Sequence, residues 1–346
     1  MENPNICGCP PETLQPTMVN NSTTPSSHFA VVIPVRNRPD LLERCLDSLQ
    51  KQQFPGGRWE ILVCDDGSTE DLTGVVGRFQ SSLPHLRHLR QPPKGPAAAR
   101  NMGFRSSSAD IMVCVDSDVI CKDGFLLMLT EALGIHPTWM AAGGTVLPIG
   151  EEGTLFDAPV NNGGIYPTGA SAYRAAALKE VGGLDEAFPF PACEDAEMAA
   201  RILKLGEYGY VPEAIVYHPT RPITVRAQWH SRKYWRYVMI LAKRYGFLAF
   251  PGHPAGPFPR LRVAWAAVVT LPAGRFIKNL KHMRPKFSDG LAGCLFALFD
   301  VLCGMCALPQ ILFGSVPRRQ NYLIKDRGVD QRSVGMEHGS KLSLGS

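Results

Sequence analysis

The chain has 346 residues, 45% of them hydrophobic, with a formal net charge of +5. That length holds one large domain or two ordinary ones around a real core, which excludes a wholly disordered chain. Ten cysteines are too few for a disulfide scaffold. Several of them (Cys64, Cys114, Cys294) sit inside apolar runs as small core residues, so a reducing compartment is the simpler expectation.

The charge is unevenly placed. Up to Thr220 there are 16 Lys and Arg against 26 Asp and Glu; from Arg221 onward there are 20 against 5. Such asymmetry predicts a basic segment facing an anionic partner, a nucleic acid or a lipid headgroup surface.

Residues 1–27 are rich in Pro, Asn, Ser and Thr and lack the basic start and apolar core of a secretory leader, so they read as a disordered tail. "FAVVIPV" (Phe29–Val35) then forms an apolar run of strand length. Pro39 opens "PDLLERCLDSLQKQ", whose apolar residues Leu41, Leu42, Cys45, Leu46 and Leu49 recur at helical spacing. "WEILVC" (Trp59–Cys64) is the next strand. "STEDLTGVVGRF" reads as a helix capped by Ser68, with Asp71 three residues on. "LRHLRQ" is a weak strand, "GPAAARNMGFRSS" an Ala-rich helix, "DIMVCV" a third strong strand and "DGFLLMLTEAL" a further helix.

This alternation argues a mostly parallel sheet with helices on both faces. Its strands are apolar throughout, as buried parallel strands are. Ligands bind such sheets beyond the carboxyl ends of the strands. "VRN" (35–37), "DDGS" (65–68) and "DSD" (116–118) stand at those ends and should line one crevice.

Asp116 and Asp118 can hold a hard cation, Mg2+ or Mn2+, through oxygen. Taken alone, the same Asp-Ser-Asp stretch fits a turn equally well. Asp65 and Asp66 carry the same ambiguity. Arg100 follows a Gly-Pro-Ala start and can face phosphate or simply solvent. Glu194 and Asp195 fall in the first turn of the helix "AEMAARILKL", where a carboxylate caps or acts as a general base.

The ordered set "VVIPVRN", "LVCDDGS", "AAARNMGF", "VCVDSDV", "GASAYRAAALKEVGGLDEAF" and "EDAEMAARILKLG", over residues 28–220, resembles the family 2 glycosyltransferases with a GT-A fold. The resemblance implies a nucleotide-sugar donor and an inverting single displacement. Pro34, Arg36 and Asp66 would line the nucleotide pocket, with Asp66 on the base. Asp116 would approach the ribose, Arg100 would lie near the nucleotide or diphosphate, and Asp118 would ligate the metal with Asp116 nearby. His218, after "AIVY", would approach the same metal; a lone His there is otherwise structural. Gly182, Gly183 and Asp185 would flank the acceptor, with Leu184 where Phe is common. Asp195, beside Glu194, would be the catalytic base. Such enzymes serve cell-envelope or glycoconjugate synthesis.

Beyond Arg221, "RAQWHSRKYWRYVMILAKRYGF" interleaves aromatic and basic residues, as nucleic-acid and membrane-interface segments do. Gln228, Arg232 and Trp235 do not have the Gln-x-x-Arg-Trp spacing of processive relatives. Val263–Ala273 is too short to span a bilayer, whereas Gly290–Val316 is long enough. Basic residues flank the longer run on both sides, which disfavours a simple crossing and favours a re-entrant hairpin or helices lying in the interface; a buried helix pair is the alternative. Residues 221–320 are therefore read as a helical region associated with the cytoplasmic face of a membrane, residues 321–346 as a flexible tail, and the acceptor as unidentified, with a lipid-linked one favoured by the tail. The apolar runs favour membrane over nucleic acid. A nucleotidyltransferase would want a Gly-rich loop after the first strand, and "IPVRNRPD" has no glycine. The remaining alternative is an inactive nucleotide-sugar-binding membrane protein of the same fold; intact Asp66, Asp116, Asp118 and Asp195 speak against it.

Overall fold

The computed structural model describes residues 28–53, 58–83, 85–151, 156–163, 166–245, 272, 287–313, 315–317 and 323. Three buried runs form the strands expected of them: β1 (Phe29–Val35), β2 (Trp59–Asp65) and, after β3 (Leu86–Arg90), β4 (Ile111–Val115). Each is followed or preceded by a helix: α1 (Pro39–Gln50), α2 (Thr73–Phe79) and α3 (Pro96–Ser106). Helix α2 starts later than Ser68. Asp71 Oδ1 accepts from the N–H groups of Thr73 and Gly74, so it is Asp71 that satisfies the helix start.

Then come β5 (Ile120–Cys121), α4 (Phe125–Ile135), β6 (Trp139–Ile149), β7 (Phe156–Asp157), β8 (Ala170–Arg174), α5 (Ala175–Val181), α6 (Glu194–Ile202), β9 (Glu207–Pro219) and β10 (Arg221–Pro222). The main sheet runs β3-β2-β1-β4-β8-β6-β9-β5. Its first four strands are parallel, as is the β6–β9 pair. Strand β8 runs antiparallel to β4 and β6, and β5 antiparallel to β9, so the sheet is mixed on this side. The β6–β9 register slips where Gly144 faces Val211 but Thr145 faces Ile215, leaving Pro212, Glu213 and Ala214 as an excess in β9. Strands β7 and β10 form a separate antiparallel pair.

Alternate residues of the parallel strands feed two cores. Val31, Ile33 and Val63 point to one, with Leu42, Leu46 and Leu129; Ala30, Val32 and Leu62 point to the other, with Phe104, Leu178 and Met198. This two-sided burial is why the strands are apolar without alternation.

After β10 the described elements are helical: α7 (Val225–Ser231), a 3-10 turn (Arg232–Tyr234), α8 (Trp235–Tyr245) and α9 (Phe287–Phe313). The run Gly290–Val316 thus contains one continuous helix through Pro309, not a hairpin turned within it. Among the described residues no helix is long and apolar enough to cross a membrane. Asp300 accepts from Gln228 Nε2 at 3.1 Å, so this mid-helix carboxylate is partnered by α7. Cys303 of the "CGMC" stretch is buried and Cys306 exposed. Tyr237, Ile240, Ala307 and Ile311 make a third core with Phe188 and Ala196 of the sheet domain. Apart from Pro272, the run Val263–Ala273 lies outside the described residues, as do both tails apart from Leu323.

Candidate active site

The strand order turns outward in both directions from β1 and β4, so a crevice opens beyond their carboxyl ends. All the carboxylates singled out in the first half of the sequence stand there or on loops that meet it.

The β1 loop is tied to the β2 loop. The Asn37 N–H donates to Ser68 Oγ at 2.7 Å, and Asn37 Oδ1 accepts from the Thr69 N–H at 2.8 Å. To do so Asn37 and Arg38 both adopt left-handed backbone, φ 58 and 62. For a residue such as Arg38 this costs on the order of 1–3 kcal/mol and persists only where the surroundings impose it. Pro34 is buried in β1 and Arg36 is exposed at its end.

Asp66 lies at the end of β2, buried. Its carboxylate accepts from Gln91 Nε2, Lys94 N and Gly95 N, each at 2.8 Å. A carboxylate has about four acceptor sites, so one remains open. Gly95 is held at φ 102, and a Cβ there would meet the backbone of Pro189. That close approach brings the loop before α3, which Asp66 holds, against the loop leading into α6. Asp65 faces away from this contact: Oδ1 accepts from the Ser68 N–H, and Oδ2 lies 3.6 Å from His88 Nε2 and 3.5 Å from Arg90.

Asp116 and Asp118 part company. Asp116 Oδ1 accepts from Arg100 Nη2 at 2.5 Å, and Arg100 Nη1 stands 3.7 Å from Glu194 Oε1. The buried Arg100 guanidinium therefore bridges the end of β4 to the start of α6. Burial pulls its pKa down, but the Asp116 carboxylate beside it outweighs that and holds it charged. Its Nε and Nη1 have no hydrogen-bond partner although both are buried.

Asp118 gathers a different set. Its Oδ2 accepts from Arg38 Nη1 at 2.9 Å and from Arg221 Nη2, and its Oδ1 lies 3.4 Å from His218 Nε2. Both ring nitrogens of His218 have partners. Nδ1 sits 2.8 Å from the Pro219 carbonyl, which can only accept, so Nδ1 carries the hydrogen. Nε2 lies 3.4 Å from Arg221 Nη2, which can only donate, and 3.4 Å from Asp118 Oδ1, which can only accept. One carboxylate oxygen and one imidazole nitrogen thus face a common point beside a guanidinium. Among the described residues no group of three or more His, Cys, Asp or Glu side chains could hold a metal ion. Two protein donors still suit a cation such as Mg2+ or Mn2+ that keeps its other positions for water and phosphate oxygen. The third ligand expected from the sequence, Asp116, is turned to Arg100 instead. Arg38 and Arg221 were not singled out in the sequence; the one signal for Arg38 is its place in the "VRNRPD" loop.

Glu194 and Asp195 open α6, after Cys193 in left-handed backbone at φ 68. Asp195 is partly exposed and accepts from the Ala196 N–H at 2.7 Å. Burial first, and Asp195 next, push the Glu194 carboxyl up to about 8. Burial also raises Asp195. A wall of aromatic residues stands nearby: the Asp195 charge acts on Tyr208, which stacks at a tilt on Tyr166, 4.5 Å between centroids, and donates to Ser171.

The Gly182–Asp185 loop supports the site from behind. Gly182 ends α5 in left-handed backbone. Gly183 does the same at φ 72, where a Cβ would meet Asn101 Oδ1 at 2.5 Å. Asn101 binds both the N–H and the C=O of Leu184. Asp185 is fully buried and accepts from Arg244 Nη1 of α8 at 2.5 Å. Arg244 also lies 3.9 Å from Glu197, a fully buried carboxylate that Arg201 and Tyr245 engage. Asp185 is thereby a link between the loop and the C-terminal helices.

Residues 30–180 match the family described as Glycosyl transferase family 2. The chain is 30% identical over 227 residues to the pre-mycofactocin glycosyltransferase of Mycobacterium tuberculosis, covering 59% of this chain and 44% of that protein. It is 31% identical over 91 residues to the poly(ribitol-phosphate) beta-N-acetylglucosaminyltransferase TarS of Staphylococcus aureus, 26% of this chain and 16% of that one. The chain thus spans less than half of these relatives. Among solved structures, the mannosyltransferase PcManGT of Pyrobaculum calidifontis in complex with GDP-Man and Mn2+ superposes with a TM-score of 0.57 at 17% identity, over 85% of this chain and 90% of that chain. The S. aureus TarS structure in complex with UDP-GlcNAc gives 0.51 at 16%, over 79% and 90%. At these identities the structural likeness establishes the fold, a GT-A fold.

Proposed function

We propose, from the premise that the chain carries a family 2 glycosyltransferase domain over residues 30–180, that it moves a sugar from a nucleotide-sugar donor to an acceptor hydroxyl. The observation that carries the reading is the buried Arg100 guanidinium joining Asp116 to Glu194, which draws the end of β4 and the start of α6 into one site.

Donor binding follows from the groups on hand. The open acceptor site of Asp66 takes an N–H of the nucleobase, beside Pro34 and Arg36. Asp116 faces the ribose. The unpartnered N–H groups of Arg100 suit oxygens of a bound donor, since buried donors without acceptors cost about 1–3 kcal/mol each. Asp118 Oδ1 and His218 Nε2 would hold a divalent cation, which when bound offsets charge on the leaving diphosphate. The complex of PcManGT with Mn2+ supports the choice of ion. Arg38 and Arg221 are then released from Asp118 to meet phosphate.

Asp195 is the base. It takes the proton of the acceptor hydroxyl as that oxygen bonds to the anomeric carbon, and the bond from that carbon to the diphosphate oxygen breaks. One displacement inverts the anomeric centre. Burial raises Asp195, which makes its carboxylate a stronger proton acceptor once ionised. Glu194 keeps its proton near neutral pH and so adds no second negative charge beside it. The basic C-terminal helices fit a membrane-associated enzyme at the cytoplasmic face, with a lipid-linked acceptor.

Asp195→Asn tests the assignment. Transfer should fall by about 10²–10⁴-fold, with binding of the nucleoside diphosphate, followed by calorimetry, unchanged. Full turnover by this variant removes Asp195 from its role.

A further inference from the structure

Among the described residues, helix α9 has two apolar faces, one covered and one exposed. Cys294, Ala297, Cys303, Ala307 and Ile311 turn inward onto the protein. Leu295, Leu298, Leu302, Met305 and Phe313 turn outward and are between 47% and 83% exposed. The first four recur at three- and four-residue intervals, so they form one stripe along the helix. A stripe of large apolar side chains is a site of association; isolated exposed hydrophobics are not.

Charge identifies what the stripe meets. The helices packed beside α9 carry exposed Arg226, Lys233, Arg236 and Lys243. No acidic residue occurs from Arg221 to Tyr245. Next to this surface the aromatic residues are ordered by cations, with the Arg232 guanidinium 4.0 Å above the Trp229 ring. Large apolar side chains combined with Lys, Arg and Trp are the composition of helices that lie in the headgroup layer of a membrane. An anionic surface adds attraction to each cation near it.

We infer that the outward face of α9 is a lipid-docking surface that seats in the headgroup layer of an anionic bilayer, with the helix lying along the layer. The inference deepens the membrane-associated reading above and rests on it. It also ties docking to the site: on its inward face α9 shares a core with Phe188 and Ala196, which lie on either side of Glu194 and Asp195. The docking helix and the helix bearing the base are thus packed as one body.

The test is density-gradient flotation of the full chain with vesicles of phosphatidylcholine alone and of phosphatidylcholine mixed with phosphatidylglycerol. The protein should rise with the anionic vesicles and about tenfold less with the neutral ones. Leu298→Glu combined with Leu302→Glu should lower anionic binding by at least about tenfold, with the thermal midpoint and nucleoside-diphosphate binding unchanged. Leu302→Ser, a milder change, should give an intermediate loss. Asp195→Asn should float like the unaltered chain, which separates this inference from the assignment of the base. The inference is overturned if the unaltered chain floats with neither vesicle or if Leu302→Ser and the double variant both float normally. A dimer that the double variant converts to a monomer also overturns it, since the face would then join two copies of this chain.

Discussion

Glu194 shows how a single buried carboxyl sets a pH response. In the unfolded chain it releases its proton near ~4.3; in the fold, burial and the Asp195 charge hold that proton up to about 8. Between those values the folded state binds more protons than the unfolded one, so stability falls as pH rises through this window. Glu194→Gln removes that slope. Its melting temperature should drop less than that of the unaltered chain between about pH 6 and about pH 8.5, read by differential scanning calorimetry. Equal drops in both proteins would mean that Glu194 is ionised in the fold at neutral pH. Arg100 belongs to the same balance: its charge draws Glu194 down while burial and Asp195 push it up, and the latter win.

Among the elements, the link between α6, α8 and the Gly182–Asp185 loop is the one most exposed to a single substitution. Arg244 reaches Asp185, Glu197 and the Pro317 carbonyl together. Arg244→Met removes this guanidinium from the fully buried Asp185 carboxylate and should lower stability in urea unfolding, by up to about 3–5 kcal/mol. Transfer should fall more than donor binding, because α6 carries the proposed base and the proposed donor contacts lie away from it, on the ends of β1, β2 and β4 and on α3. The elements of the first half were legible because each is locally consistent. Phe29–Val35, Trp59–Cys64 and Ile111–Val115 are buried on both faces and therefore apolar throughout, and Pro39 and Pro96 mark helix starts. Past Ile135 the signal weakens. Strand β6 is "WMAAGGTVLPI", with alanine and glycine where strand residues are usually branched, and its neighbours are distant in sequence. The antiparallel placement of β8 could not be read from the alternation that preceded it. In the same way Asp66, Asp118 and Asp195 were visible as carboxylates after strands or at a helix start, whereas Arg38 and Arg221 were not. Their meeting on Asp118 joins positions 80 and 103 residues away from it.

Across the whole molecule, an acidic sheet domain is packed on basic helices, and binding should be read in both halves. A nucleoside diphosphate with Mn2+ should stabilise the full chain by about 2.7 kcal/mol at a hundred times its dissociation constant. His218→Ala should erase the Mn2+-dependent share of that gain and leave the nucleotide's own share, measured by thermal shift with and without the cation. A gain that survives His218→Ala in full would place the cation elsewhere. The slip between β6 and β9 decides which way His218 points at all. Side chains of a strand alternate between its faces, so the three-residue excess Pro212–Ala214 acts as a parity setting for everything downstream. Deleting Glu213 alone, with the Val211 end of the strand held, would carry each later residue one position along β6, so that His218 faces Leu147 in place of Pro148 and its imidazole turns to the opposite side. The shortened chain would keep its sheet and behave toward Mn2+ as the alanine variant does. Length at this point, as much as residue identity, is therefore what a working relative of this chain has to preserve.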